Sequence, residues 1–100
     1  VPTPNVSLVD LSYIPNRSVS VEEIDAALKS ASEGRMNGIL NFENEPKVSI
    51  DYNHTTTSSN YAQPQTTVTK GGLVRVVSWY DNEWGFSNRM IDTAKVMANL

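Results

Sequence analysis

The run Leu73–Tyr80, LVRVVSWY, most constrains what this chain can form, because it is apolar on both sides of a two-residue alternation. Val74, Val76 and Tyr80 fall on one side, and Leu73, Val77 and Trp79 on the other. A strand of that kind has to be covered on both faces. Gly71-Gly72 just before it suits a turn. In a chain of 100 residues, 39% of them hydrophobic, one modest core is all that can be built. The second face therefore calls for something beyond that core.

The other segments are read around this strand. Pro2 and Pro4 hold their neighbours extended. Val6 to Tyr13 predicts a strand, with Val9, Leu11 and Tyr13 on one face and Val6, Leu8, Asp10 and Ser12 on the other. Pro15-Asn16-Arg17-Ser18 reads as a loop. Ser20-Val21-Glu22-Glu23 has the spacing of a capping box, in which the Ser20 hydroxyl takes the Glu23 amide and the Glu23 carboxylate reaches back. Val21, Ile24, Ala27, Leu28 and Ala31 follow at helical spacing, so a helix is predicted over Val21–Glu33 with Gly34 as its C-cap. Gly38–Phe42 predicts a short strand and Asn44-Glu45-Pro46 a turn. Lys47–Asn53 alternates, with Val48, Ile50 and Tyr52 on one face, and predicts another strand. His54–Pro64 reads as a polar loop and Gln65–Thr69 as a strand. After Tyr80, Asp81 or Asn82 can cap a last helix carrying Trp84, Met90, Ile91, Ala94, Met97 and Ala98, with Lys95 well placed towards its C-terminus. The expected class is α+β: a mainly antiparallel or mixed sheet with both helices packed on one face. There is no internal repeat and no sign of a second domain.

Composition excludes several kinds of chemistry. With no cysteine, these residues can form no disulfide, supply no thiolate and build no cysteine-ligated metal site. Eight basic and eleven acidic residues give a net charge of −3 without a basic run, which argues against a nucleic-acid partner. No apolar stretch approaches a membrane span, and no signal peptide is visible, so a cytoplasmic setting is expected. Val1 is not an initiator Met, and Val1-Pro2-Thr3-Pro4-Asn5 leads straight into a strand pattern. A fragment of a larger protein is the expectation.

Candidate reactive groups are few. His54, the single histidine, has Asp51 nearby in sequence but no nucleophile to activate, and reads as a loop residue. One histidine and scattered carboxylates make no metal cluster. Thr55–Ser59 lacks the Gly-rich spacing and basic neighbours of a phosphate cradle and reads as a solvated loop. Glu22, Glu23 and Asp25 complement a helix dipole. The unusual stretch is Ser78–Arg89, where Asp81, Asn82 and Glu83 sit among Trp79, Tyr80, Trp84 and Phe86 at a strand-to-helix junction. The residues could simply anchor and cap the helix. Such junctions are also where open sheets of α/β proteins present ligand groups. An asparagine there offers one acceptor and two donors, which suits a primary carboxamide.

The stretch Trp79-Tyr80-Asp81-Asn82-Glu83-Trp84-Gly85-Phe86-Ser87-Asn88-Arg89 resembles a hallmark of glyceraldehyde-3-phosphate dehydrogenases. Val1–Leu11, Ala31-Ser32-Glu33-Gly34 with Gly38-Ile39-Leu40, and Val48–His54 are similar to three further family stretches in the same order. The resemblance implies the C-terminal part of a catalytic domain. An NAD-binding Rossmann domain and the first part of the catalytic domain, with its cysteine, histidine and Gly-rich loop, would lie upstream. It implies a homotetramer in which a thiolate attacks the aldehyde, hydride passes to NAD, and phosphate releases 1,3-bisphosphoglycerate. Asn82 matches the family position that hydrogen-bonds the nicotinamide carboxamide, and Phe86 an aromatic position beside the nicotinamide ring. No catalytic residue and no metal ligand is implied within these residues, and His54 does not match the catalytic histidine. The chain departs from the family pattern at Thr55-Thr56 and Ala62, both in the polar loop. Erythrose-4-phosphate dehydrogenase is the nearby alternative, and a non-catalytic oligomerisation module is the other; NAD and NADP are not distinguished.

Overall fold

The two-faced strand becomes the hub of the sheet. The computed structural model describes residues 1–100, with elements in the order β1 (Ser7–Tyr13), α1 (Val21–Glu33), β2 (Leu40–Glu43), β3 (Ser59–Ala62), β4 (Thr67–Val68), β5 (Val74–Tyr80) and α2 (Trp84–Ala98). β5 pairs antiparallel with β1 along its whole length, Ser7 opposite Tyr80 and Tyr13 opposite Val74. Its other edge is shared: β4 pairs at its start, Val68 opposite Val74, and β3 near its end, Tyr61 opposite Ser78. β2 joins β3 in parallel, so the sheet is mixed, in the order β1-β5-β3-β2 with β4 beside β5. This is the expected α+β class.

The register puts Val9, Leu11, Tyr13, Val74, Val76, Tyr61 and Phe42 on one face. α1 lies on this face. Ile24 forms the buried centre with Tyr61 and Val74, and Val19, Leu28, Leu40, Phe42, Val68 and Val76 pack around them. Each such aliphatic side chain, fully buried, contributes about 1.5–3 kcal/mol. The start of α1 is half of the expected capping box. Ser20 Oγ accepts from the Glu23 amide at 3.1 Å, but the Glu23 carboxylate turns outward to Arg17 at 2.8 Å. Asp25 does more than complement the helix dipole: it accepts from the Tyr61 hydroxyl at 2.7 Å and from Gln63 Nε2 at 2.9 Å, tying α1 to the segment after β3. Burial, joined by Asp25, raises the Tyr61 hydroxyl pKa above its ordinary value, despite a lowering bond with Thr66.

Three expectations about strands are corrected. Lys47–Asn53 is not a strand: Ser49–Tyr52 is a 3₁₀ turn. The Asp51 carboxylate accepts from the Val48 amide at 2.9 Å, a local bond that competes with any ladder. Of the alternating residues only Tyr52 is buried, stacked on Trp79 of the opposite sheet face with ring centroids 6.1 Å apart, while Val48 and Ile50 remain exposed. The polar loop contains a strand, β3, because Asn60, 1% exposed, finds partners at both ends of its amide. It donates to the Trp79 carbonyl and accepts from Asn41 and Thr57. The strand predicted over Gln65–Thr69 shortens to Thr67–Val68, since Gln63–Gln65 turns as a 3₁₀ segment around Pro64.

The two helices do not share one sheet face. In α2 only Gly85 is buried, and Phe86, Met90, Ile91, Val96 and Met97 are exposed. The helix is held at its beginning. Gly85 sits so close to the chain that a Cβ there would lie 2.9 Å from the Thr57 carbonyl oxygen. Arg89 donates to the Thr56 carbonyl at 3.0 Å and the Gly38 carbonyl at 3.1 Å.

Candidate functional site

Where β5 ends, Asp81 takes over, and it is the residue that starts α2. Its Oδ1 accepts from the amides of Trp84 at 2.9 Å and Glu83 at 3.2 Å. Its Oδ2 accepts from the His54 amide at 2.8 Å and from Asn5 Nδ2 at 2.9 Å. The side chain is almost fully buried. Burial alone would push the carboxyl up, but the bonds from Trp84, His54, Asn5 and Glu83 outweigh it and hold the pKa below the usual carboxylate value.

One carboxylate thus gathers the N-terminal arm, the segment after the 3₁₀ turn and the first turn of α2. Two of these segments are bent sharply to reach it. Val6 and His54 are the two non-glycine residues with positive φ, 74° and 62°. For a β-branched residue such as Val6 this conformation is costly, and it persists only where surrounding structure enforces it. Val6 is buried between Asn5 and Ser7, which both bond to the junction. The His54 ring stacks on Trp84 with centroids 4.2 Å apart. The histidine is therefore a loop residue held in the junction's framework, with its amide on Asp81 and its ring on Trp84.

Asn82 follows Asp81 and is exposed. Its Oδ1 accepts from Ser7 Oγ at 3.0 Å, while Nδ2 bonds to nothing else in the chain. With Thr3, Asn5, Ser7 and Glu83 it lines a polar cavity of about 210 Å³. Phe86 lies on the first turn of α2, 67% exposed, and does not line that cavity. The chain therefore presents the two sequence-predicted residues on neighbouring surfaces without enclosing a ligand between them. The sequence reading missed Ser7 and Asn5 as partners of this junction. Both lie in the arm resembling the family, but their pairing with residues about three-quarters of the chain away leaves no local signal.

The remaining features point elsewhere or nowhere. Thr55 Oγ1 bonds the Tyr52 carbonyl and Thr57 Oγ1 bonds Asn60, so these hydroxyls are used structurally. No group of three or more His, Cys, Asp or Glu side chains converges as a metal site would require. No helix is long and apolar enough to cross a membrane. A polar hollow of about 410 Å³ between α1 and β2, lined among others by Lys29, Asn37, Asn41 and Asn44, is remote from Asn82.

A mixed sheet whose central strand runs into a buried carboxylate, followed by an exposed carboxamide, defines a domain of the α+β class. The chain belongs to the family described as glyceraldehyde 3-phosphate dehydrogenase, C-terminal domain, whose model matches residues 1–82. It is 55% identical over 100 residues to a glyceraldehyde-3-phosphate dehydrogenase of Xanthobacter flavus, covering all of this chain and 30% of that protein. It is 54% identical over 100 residues to the enzyme of the same name from Cereibacter sphaeroides, again all of this chain and 30% of the relative. Identity to glyceraldehyde-3-phosphate dehydrogenase 1 of Bacillus subtilis is 53% over 98 residues, 98% of this chain and 29% of the relative. The chain thus spans about 30% of the length of the curated relatives it matches.

Proposed function

We propose that this chain is the C-terminal part of the catalytic domain of a phosphorylating, NAD-dependent glyceraldehyde-3-phosphate dehydrogenase. The complete enzyme would convert glyceraldehyde 3-phosphate, inorganic phosphate and NAD to 1,3-bisphosphoglycerate and NADH. The observation that carries this reading is Asn82, exposed at the strand-to-helix junction with its Nδ2 donors unused. Those donors fit the carbonyl of a nicotinamide carboxamide. Phe86, exposed one helical turn on, would give the ring an apolar wall. Bound NAD would supply the hydride acceptor; the part of this chain is to hold and orient it. The thiol nucleophile and the assisting histidine would come from other parts of the protein, since the chain has no cysteine. An N-terminal Rossmann domain and the first part of the catalytic domain complete this proposal, and the ribose contacts that choose NAD over NADP belong to that Rossmann domain. The half-exposed apolar face of Val9, Leu11 and Tyr13 supports a subunit contact, and we assign the enzyme a cytoplasmic homotetramer.

Steady-state kinetics of the full-length enzyme test the reading. Asn82→Leu removes the donors, and a hydrogen bond worth roughly 0.5–1.5 kcal/mol corresponds to about a two- to ten-fold change in KM for NAD or in kcat/KM. Misorientation of the ring adds a loss in kcat. Phe86→Tyr is expected to be mild, because the wall remains. Unchanged KM and kcat in a correctly folded Asn82→Leu enzyme would reduce Asn82 to part of the helix start.

A further inference from the structure

We propose that Ser7 is a positioning residue for cofactor recognition: its hydroxyl holds the Asn82 carboxamide in one of its two flip states, so that Asn82 meets the ligand with its N–H donors. The proposal rests on the reading of Asn82 as the nicotinamide contact.

An asparagine amide is nearly symmetric in shape but opposite in chemistry at its two ends, so a site that uses it must break the degeneracy. Here Ser7 Oγ donates to Asn82 Oδ1 at 3.0 Å, the only hydrogen bond either side chain makes within the chain. The flipped amide could still donate to Ser7 Oγ, but the Ser7 proton would then lose its one acceptor within the chain and turn to solvent. The observed orientation satisfies both groups and leaves Nδ2 free. Ser7 is itself well placed to act as a fixed reference. It is the first residue of β1, paired with Tyr80 just before the junction. Asn5, two residues earlier, is anchored on Asp81, and Val6 between them is buried. The strand and the arm therefore set the hydroxyl's position independently of any ligand.

The consequence is specific to atoms. The ligand's carboxamide is read through its carbonyl oxygen, and its amino group is not read by Asn82. Acetylpyridine adenine dinucleotide, which keeps the carbonyl and replaces the amino group with methyl, should retain the contact. The experiment measures equilibrium binding of NAD and of this analogue by calorimetry, on the full-length protein and its Ser7→Ala, Ser7→Thr, Asn82→Leu and Ser7→Ala/Asn82→Leu variants, with kcat and KM alongside. Ser7→Ala should weaken NAD binding about two- to ten-fold, the range of one net hydrogen bond. Ser7→Thr, which keeps the hydroxyl, should restore it. Ser7→Ala should add nothing once Asn82 is Leu, because the two residues act through one interaction. Asn82→Leu should weaken NAD and the analogue by the same factor. If Asn82→Leu weakens NAD alone, the amide is presented the other way round and the proposal falls. If Asn82→Leu weakens both ligands but Ser7→Ala is silent, or the two effects add, Ser7 has no positioning role while the reading of Asn82 stands. If Asn82→Leu changes neither ligand, that reading fails and the proposal with it.

Discussion

Asp81 ends a strand, starts a helix and ties down two distant segments with a single carboxylate. Replacing it with Asn keeps the shape but turns one oxygen into a donor facing donors. At least two of the four bonds are lost, and the cost should be about 2–4 kcal/mol in the stability of the full-length protein, read by denaturant or thermal unfolding. The pH dependence has a definite sign. The folded carboxyl titrates below its ordinary value, so its contribution is fully present above the unfolded pKa of about 3.9 and is lost as pH falls through the folded pKa. The gap between wild type and Asp81→Asn should be constant above about pH 4 and close below it. A gap that persisted unchanged into strong acid would show that the charge on Asp81 is not what holds the junction. Tyr52 illustrates the opposite shift: burial, with Glu43 and Asp51 nearby, pushes its hydroxyl up to about 12, so it stays neutral while its ring packs on Trp79.

At the scale of elements, α2 depends on its first turns. Glycine there is unfavourable for a helix by roughly 0.5–1 kcal/mol relative to Ala, so propensity alone predicts that Gly85→Ala stabilises. The structure predicts the reverse, since the new Cβ would meet the Thr57 backbone carbonyl at 2.9 Å and backbone cannot swing aside. Overpacking of this kind costs about 1–3 kcal/mol, which exceeds the propensity gain over most of that range. Unfolding experiments on Gly85→Ala should therefore show net destabilisation. Hydrogen exchange should quicken at Thr56–Ser58, where Arg89 also grips the chain. A stabilised variant would mean that the approach of α2 to this loop is looser than the geometry here. β3 and the 3₁₀ turn make the complementary point. A polar segment became strand because its hydrogen bonds were completed by neighbours, and an alternating one did not because a local carboxylate took its amide.

Across the whole molecule, only 13 of 100 residues are buried, too few for the apolar content to be used within the chain. Two surfaces carry the excess. One is α2, with Met90, Ile91, Val96 and Met97 exposed; the other is the sheet face beside α1, where Val9, Leu11 and Tyr13 are between 37% and 50% exposed. The second surface is continuous with a hollow lined by Leu11, Val19, Ile24, Leu28 and Val76. If this face is the proposed subunit contact, Leu11→Glu places a charge in an apolar interface, where an unpaired buried charge costs several kcal/mol. Sedimentation of the full-length variant should then show species smaller than wild type. An unchanged assembly would locate the contact elsewhere.

Local chemistry was enough to read the elements whose signals lie within a few residues. Ser20 and Glu23 start α1, the alternation in Ser7–Tyr13 and Val74–Tyr80 makes strands, and Asp81 was one of two named caps. The family resemblance singled out Asn82 and Phe86 from the same few residues. Tertiary structure alone decided what depended on partners far along the chain. It made Ser59–Ala62 a strand through Asn60, spent the Lys47–Asn53 alternation on a single buried Tyr52, and lifted α2 off the sheet. It also brought Asn5 and Ser7 onto Asp81 and Asn82, more than seventy residues away. The physical reason is plainest at Asn60 and Asp81. A periodic pattern records which face of a segment is apolar, but a buried polar group is costly unless its hydrogen bonds are met, and which residues meet them is a property of the folded arrangement.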